Sequence, residues 1–375
     1  MKTAFIYSDK FGAFSYGPSH PMRPVRLRLT YELISALGLK DLPGAKFIEA
    51  RRASDAEILL IHTPEYLEAL KEADSGAAPP EGAVFGLGYG DNPVFEGVFE
   101  WSSYSAGASL QAAELVAGGG ADIAFNMAGG LHHAMAARAS GFCYINDAAL
   151  AVKYLVDLGR RVAYVDVDAH HGDGVERAFY GTDRVLTLSI HESGRTLFPG
   201  TGSVSETGEG AGEGFSVNLP LPPATGDGIY LRAFEALVPD VIKTFSPDVL
   251  VTQLGVDTFA SDPITHLDLT TNVFEKVIKN FRSFGLPWVA LGGGGYDLSN
   301  VSRSWTLAWA IMNGIDAPEK IPEEFLSGHG NIFGSPALRD GPGKTPEMGE
   351  GAWAEIEKEI DFIRENILPV IKARR

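Results

Sequence analysis

Apolar positions along the chain follow two rhythms. In one, short unbroken apolar runs stand between Gly, Pro or charged residues, as in strands buried on both faces. Residues 3–7, 122–126, 161–166, 184–190, 248–254 and 288–291 read this way. In the other, apolar residues recur every three or four positions, which predicts helices over 25–37, 95–117, 146–158, 174–179, 229–244, 270–284 and 298–312. Local signals add two helix starts: Ser54-x-x-Glu57 is a capping box opening a helix toward Ile61, and Thr63-Pro64-Glu65 caps another running to about residue 73. Pro18, Pro21 and Pro24 hold 16–24 as an ordered loop, and the Gly and Pro of 76–93 make a long loop. Glu192 to Gly214, rich in glycine, reads as a long surface loop.

From residue 121 onward the two rhythms alternate, the signature of a parallel sheet with helices on its faces. The expected fold class is therefore α/β: a single domain with a central, mostly parallel sheet flanked by helices, its site built from long loops at the strand C-terminal ends. Sheets of this kind carry their sites beyond the carboxyl ends of the strands. The polar residues gather there: Asn126 with His132 and His133, then Asp166 to Asp173, then His191, Asp257 and Tyr296. The body spans 1–315, and 316–375 form a C-terminal extension. In the extension Trp353, Ile356, Ile360, Ile363, Ile367 and Val370 form an apolar stripe. It predicts an amphipathic helix docked on the same domain. A dimer seam is the second reading of this stripe, but it is short for a coiled coil, and a homo-oligomer stays open.

Composition narrows the function classes. With 375 residues, 45% hydrophobic content and mean hydropathy near zero (+0.01), the chain has ample material for a core. A net charge of -17 argues against non-specific nucleic-acid binding, which needs cations to neutralise phosphates. One cysteine, Cys143, leaves no intramolecular disulfide and fits a reducing cytoplasm. No run approaches a membrane span, and 1–7 is too short for a signal-peptide core, so no membrane is expected and the expected location is cytoplasmic.

The stretch 164–173, YVDVDAHHGD, concentrates the chemistry. Alternate side chains of an extended segment share a face, so Asp166, Asp168 and His170 point together. Two carboxylates and an imidazole with no nearby Lys or Arg are costly to bury. A divalent cation relieves that cost. With Asp257 of QLGVD, Asp168 and His170 make an Asp-His-Asp set suited to catalytic zinc or a similar ion. The plain alternative for 164–173 is a helix N-cap acid followed by a structural histidine pair. His132 and His133 stand after Gly129-Gly130, with Asp166 and Asp173 free to fix their tautomers, which suits a proton-transfer pair. Gly292 to Gly295 let the backbone adapt around a ligand and present the Tyr296 hydroxyl; its plain alternative is a flexible turn. Gly141-Phe142 and Leu197-Phe198-Pro199 supply apolar walls for a slot.

The runs GGLHHA, GFCYIND, YVDVDAHHGDGV, LSIHESGRTLFPGTG, QLGVDTFASDP and LGGGGYD resemble the zinc-dependent histone deacetylase superfamily, in particular the bacterial acetoin-utilisation deacetylases close to class I. The resemblance runs from about residue 16 to 312. It implies zinc, with iron as the alternative ion, held by Asp168, His170 and Asp257. His133, oriented by Asp173, would be the general base that takes a proton from water and returns it to the leaving amine. His132, paired with Asp166, would be an electrostatic partner, and Tyr296 the donor to the oxyanion. Gly141, Phe142, Phe198 and Ile264 match the walls of a narrow substrate tunnel, and Arg26 matches an arginine of an acetate-release channel. Asp166, Asp168, His170, Ser189 and Ile190 match a potassium site, with Phe179, Thr182 and Val185 near a second.

The implied activity is hydrolysis of the acetyl amide of N-acetyl-lysine in a protein or peptide, with metabolic enzymes such as acetyl-CoA synthetase as the target class by analogy. An acetylpolyamine substrate ranks second, because the glutamate gatekeeper of the family's polyamine deacetylases is Ile264 here. An arginase-like binuclear ureohydrolase ranks third: its second metal needs an acid two positions after the ligand histidine, where this chain has Gly172. A binding protein that has kept the pocket is the non-enzymatic alternative, made weak by intact His133 and Tyr296.

Overall fold

The structure is a computed structural model; it describes residues 1–341 and 350–374. Eight strands among the described residues form one sheet: β1 (Thr3–Tyr7), β2 (Ala45–Glu49), β3 (Ile123–Asn126), β4 (Val162–Asp166), β5 (Val185–Glu192), β6 (Ser216–Leu221), β7 (Val249–Gln253) and β8 (Trp288–Leu291). Their order is β2-β1-β3-β8-β7-β4-β5-β6, and every pairing is parallel. The expected "mostly parallel" sheet is thus wholly so. All the inner strands are buried along their full length, as their unbroken apolar runs require.

Sequence periodicity missed β2 and β6, for physical reasons. Both are edge strands. β2 is only half-buried, so it lacks an apolar run, and β6 carries Asn218 and Pro220. Proline is tolerated at an edge because its missing N–H faces no neighbour. β5 is also longer than expected: His191 and Glu192 lie within the strand rather than after it.

The helices, in chain order, are α1 (Val25–Ala36), α2 (Asp55–Ile58), α3 (Pro64–Glu72), α4 (Val98–Ala117), α5 (Asp147–Asp157), α6 (Asp173–Phe179), α7 (Asp227–Phe245), α8 (Thr271–Ser283), α9 (Leu298–Met312), α10 (Glu323–His329), α11 (Glu350–Phe362) and α12 (Leu368–Ala373). One row runs α4-α5-α6 and another α1-α9-α8-α7, each helix packed on its neighbour and together covering the sheet. The capping box before α2 forms as read: Ser54 Oγ accepts from Glu57 N and Ser54 N donates to Glu57 Oε2 at 2.7 Å. Thr63 Oγ1 caps α3 through Tyr66 N at 3.3 Å. α4 starts at Val98 rather than 95, because Gly97 before it adopts φ +82°.

Within the C-terminal segment, residues 342–349 and 375 lie outside the described residues. The apolar stripe is covered by the chain itself: Ile356, Ile360, Ile363, Ile367 and Ile371 are buried in the main core. The stripe ends on Ile371 instead of Val370, since a π-turn over Ile363–Ile367 rotates the last turn. Val370 is half-buried and packs over Gly214. The seam reading of this stripe is therefore not supported. No described helix is long and apolar enough to cross a membrane.

Candidate active site

The carboxyl ends of β3, β4, β7 and β8 meet at one place, and the loops leaving them interlock. After β3, Gly130 turns the chain at φ +84°, where a Cβ would stand 2.6 Å from Gly292 O. Buried Asp147 accepts from Gly130 N at 2.9 Å, Leu131 N at 2.8 Å and Ser109 Oγ at 2.5 Å. These bonds fix the direction in which His132 and His133 leave the turn.

Each histidine is oriented by its own carboxylate. His132 Nδ1 lies 2.7 Å from Asp166 Oδ2, and His133 Nδ1 lies 2.7 Å from Asp173 Oδ1. Tyr164 donates its hydroxyl to Asp166 Oδ2 at 2.6 Å. The two Nε2 atoms then face each other at 3.0 Å. Only one proton fits between them. Burial lowers the affinity of His132 for a proton, but Asp166 and Asp168 outweigh burial and raise its pKa to about 9. Burial, joined by the neighbouring His132 charge, lowers His133 to about 4 despite Asp173. The proton between them belongs to His132, and His133 Nε2 keeps its lone pair.

Beside this pair, Asp168, His170 and Asp257 bring one ligand atom each to within 4.8 Å of one another, all buried. His170 Nδ1 sits 3.0 Å from both Asp168 Oδ1 and Asp257 Oδ2. The remaining oxygens are held by the protein: Asp168 Oδ2 accepts from Gln253 Nε2 at 2.6 Å and Gly294 N at 2.7 Å, and Asp257 Oδ1 from Ala169 N at 2.9 Å. Burial and the charge of Asp168 raise Asp257 to about 6. A Cβ at Gly294 would lie 2.0 Å from Asp257 Oδ2, so only glycine passes there. Two buried, converging carboxylates with one imidazole and positioned outer oxygens are the donor set a divalent cation needs, and the site fits one. It is the one such group among the described residues. Asp166, read as sharing this face, serves the histidine pair instead.

Tyr296 overhangs the group. Its N–H donates to Asp262 Oδ2 at 2.9 Å, and its ring packs edge-on against Phe142 with centroids 5.6 Å apart. Burial, then the charges of Asp257 and Asp168, push its hydroxyl well up, so it stays a donor. A cavity of about 540 Å³ leads from the surface to His133, His170 and Tyr296, and Gly141, Phe142, Phe198 and Ile264 all line it. Tyr16, His20 and Asp91 line it as well. Phe198 meets the His133 ring at 4.9 Å.

Arg26 is buried beneath the tyrosine loop. Its Nη1 and Nη2 donate to Gly295 O and Gly293 O, each at 2.8 Å. The space behind the metal group, about 10 Å³, is lined by Met22, Cys143, Gly293 and Gly294 but not by Arg26 itself. Of the residues matched to potassium sites, Asp166 and Ser189 are partners across β4 and β5, with Ile190 next to Ser189. Phe179 ends α6, Thr182 follows it and Val185 begins β5, at the opposite end of that strand from Ser189 and Ile190.

Sequence reasoning missed Asp147, Gln253 and Asp262. Gln253 lies in the quoted run QLGVD, two residues before the glycine that precedes Val256 and Asp257. Asp147 closes the run GFCYIND and Asp262 lies in QLGVDTFASDP, but the N–H groups of Gly130, Leu131 and Tyr296 that they bind are far away in sequence, so the runs do not reveal the role.

A sequence profile of the histone deacetylase domain matches residues 20–312. The chain belongs to the histone deacetylase family. It is 42% identical over 332 residues to the acetoin utilization protein AcuC of Bacillus subtilis (strain 168), covering 86% of this chain and 85% of that protein. Histone deacetylase 9 of Arabidopsis thaliana is 40% identical over 325 residues, or 86% of this chain and 76% of the plant protein. The crystal structure of a histone deacetylase homolog from Aquifex aeolicus superposes with TM-score 0.88 at 35% identity, over 96% of this chain and 100% of that one. Histone deacetylase family membership makes this chain a hydrolase of acetylated substrates and removes the ureohydrolase reading.

Proposed function

We propose that this deacetylase hydrolyses the acetyl amide of N-acetyl-lysine in proteins and releases acetate, within the cytoplasm. The observation that carries the reading is the juxtaposition of the Asp168–His170–Asp257 group, the His133 imidazole and the Tyr296 side chain at the floor of one cavity with Phe142, Phe198 and Ile264 in its walls. Asp168, His170 and Asp257 would hold a divalent ion, zinc by family resemblance and iron as the alternative. When bound, such an ion polarises a carbonyl and makes water more acidic.

The protein groups divide the remaining work. Tyr296 donates a hydrogen bond to the oxyanion as it develops, from a loop fixed by Arg26 and Asp262. His133 takes the proton of the attacking water and hands it to the departing lysine amine. His132, kept cationic by Asp166, favours negative charge nearby and keeps His133 neutral until it acts. Phe142, Phe198 and Ile264 exclude water from the aliphatic stem, and apolar Ile264 gives a cationic polyamine nothing to bind. Arg26 shapes the wall of the inner space through which acetate leaves. Asp166, Asp168, His170, Ser189 and Ile190 would hold a potassium ion in the same reading, and Phe179, Thr182 and Val185 a second; such ions would supply only fixed positive charge beside the loop after β4. The substrate class is metabolic enzymes such as acetyl-CoA synthetase, in keeping with the name of the Bacillus subtilis relative.

Tyr296→Phe is expected to lower turnover of an acetyl-lysine peptide on the order of a hundredfold or more with the metal content unchanged. Asp257→Ala is expected to lose the metal. Full turnover by the phenylalanine variant, or one metal per chain retained by the alanine variant, would overturn these assignments.

A further inference from the structure

Glu192 ends β5 with a side chain 0% exposed, yet its partners include no Lys or Arg. Its Oε1 accepts from Thr196 Oγ1 at 2.9 Å and lies 2.9 Å from His266 Nδ1, while Oε2 accepts from His266 N at 2.9 Å. These two partners belong to different loops. Thr196 directly precedes Leu197 and Phe198, and His266 follows Ile264 by two residues; all three apolar residues line the substrate cavity. The carboxylate therefore ties one cavity wall to another.

Its own base is fixed. Glu192 N donates to Ala169 O at 2.9 Å, and Ala169 lies between the ligands Asp168 and His170. On the far side, Thr265 Oγ1 donates to the Asp257 carbonyl. The segment carrying Phe198 has few other anchors at its start: Thr196 N and Leu197 N bond only to nearby Ser193 O. Phe198 is 41% exposed. The Arg195–Glu355 ion pair reaches the same segment, but its side chains are 77% and 54% exposed, so it holds weakly. Charge-assisted bonds to a buried carboxylate are the stronger restraint.

We infer that Glu192 is a positioning residue that sets the spacing between the Phe198 and Ile264 walls, and with it how closely the cavity grips the aliphatic stem of its substrate. The inference rests on reading this cavity as the acyl-lysine tunnel.

The test is steady-state kinetics of zinc-loaded parent, Glu192→Ala, Glu192→Gln and His266→Ala on an acetyl-lysine peptide. In parallel, the affinities of acetohydroxamate and of a long-stemmed alkyl hydroxamate are measured. Glu192→Ala should raise KM for the acetyl peptide about tenfold, the size expected for a lost charge-assisted bond, with kcat within about threefold. The long-stemmed hydroxamate should weaken while acetohydroxamate does not. Glu192→Gln keeps an acceptor for His266 N–H and should restore part of the loss. His266→Ala removes a largely exposed ring and carries the test if the Glu192 variants fail to fold. Folded variants with parental KM and hydroxamate ranking overturn the inference, even if they melt earlier. Equal weakening of both hydroxamates overturns it too, by moving the effect to the metal group. A parent inert on the peptide, with the hydroxamate contrast intact, would sink the lysine-deacetylase reading and leave this inference standing.

Discussion

His132–Asp166 and His133–Asp173 are the same chemical pair at the same 2.7 Å, yet they hold their protons in opposite ways. The inner pair is wedged under the sheet end. Asp166 also accepts from Tyr164 and has Asp168 close by, so carboxylate charge accumulates around His132 and outweighs burial. The outer pair lies at the cavity floor, where His133 faces the positive charge of His132 and Asp173 spends one oxygen on Gly174 N as well. An imidazole's carboxylate partner does not alone decide its protonation; the next shell of charge does. Two adjacent histidines thereby become a cation and a base.

The largest effect that can break this contrast is removal of the base. His133→Ala should lower kcat on an acetyl-lysine peptide on the order of a thousandfold at unchanged metal content, whereas His132→Ala should cost much less. Equal losses, measured at matched metal content, would dissolve the distinction. Next comes Asp166→Asn, which removes the charge that holds His132 raised. The His132 cation should then be lost at lower pH, and the alkaline limb of the pH–rate profile should move toward neutrality; a limb that stays in place contradicts the assignment.

A third buried imidazole sharpens the comparison because no carboxylate serves it. His62 Nε2 accepts from Asn146 N at 3.0 Å, and Asn146 Nδ2 donates to His132 O and Ala134 O. Burial lowers its pKa from 6.5 to about 4. The unfolded chain therefore takes up this proton first as pH falls. The stability His62 contributes is complete above about pH 6.5, erodes between 6.5 and 4, and is gone below 4, a total of about 3 kcal/mol. Denaturant titrations of His62→Gln should be flatter than those of the parent across that window by this amount; identical slopes contradict a neutral buried His62. The smallest effect is a control far from either pair. Ser54→Ala removes the α2 cap and should cost about 1 kcal/mol in a denaturant melt with kcat unchanged.

Much of this was legible before the structure. The inner strands announce themselves because burial on both faces demands unbroken apolar runs; Asp168 and His170 because they leave one strand end two positions apart; and Asp257 because sites gather where parallel strands end. Asp168, His170 and Asp257 converge as expected, and so do both histidine–carboxylate pairs. What stayed hidden works differently. β2 and β6 are edges whose outer side need not be apolar. Asp147, Gln253, Asp262 and Glu192 stand inside the quoted runs, but their principal partners are brought near only by the folded chain, so the runs mark the residues without showing their roles.

The most direct test of the account is acetate release from an acetyl-lysine peptide by the zinc-loaded protein, with and without a chelating hydroxamate. Release is expected, abolished by the hydroxamate and reduced on the order of a thousandfold by His133→Ala. A parent that binds one zinc and the peptide but releases no acetate would contradict it.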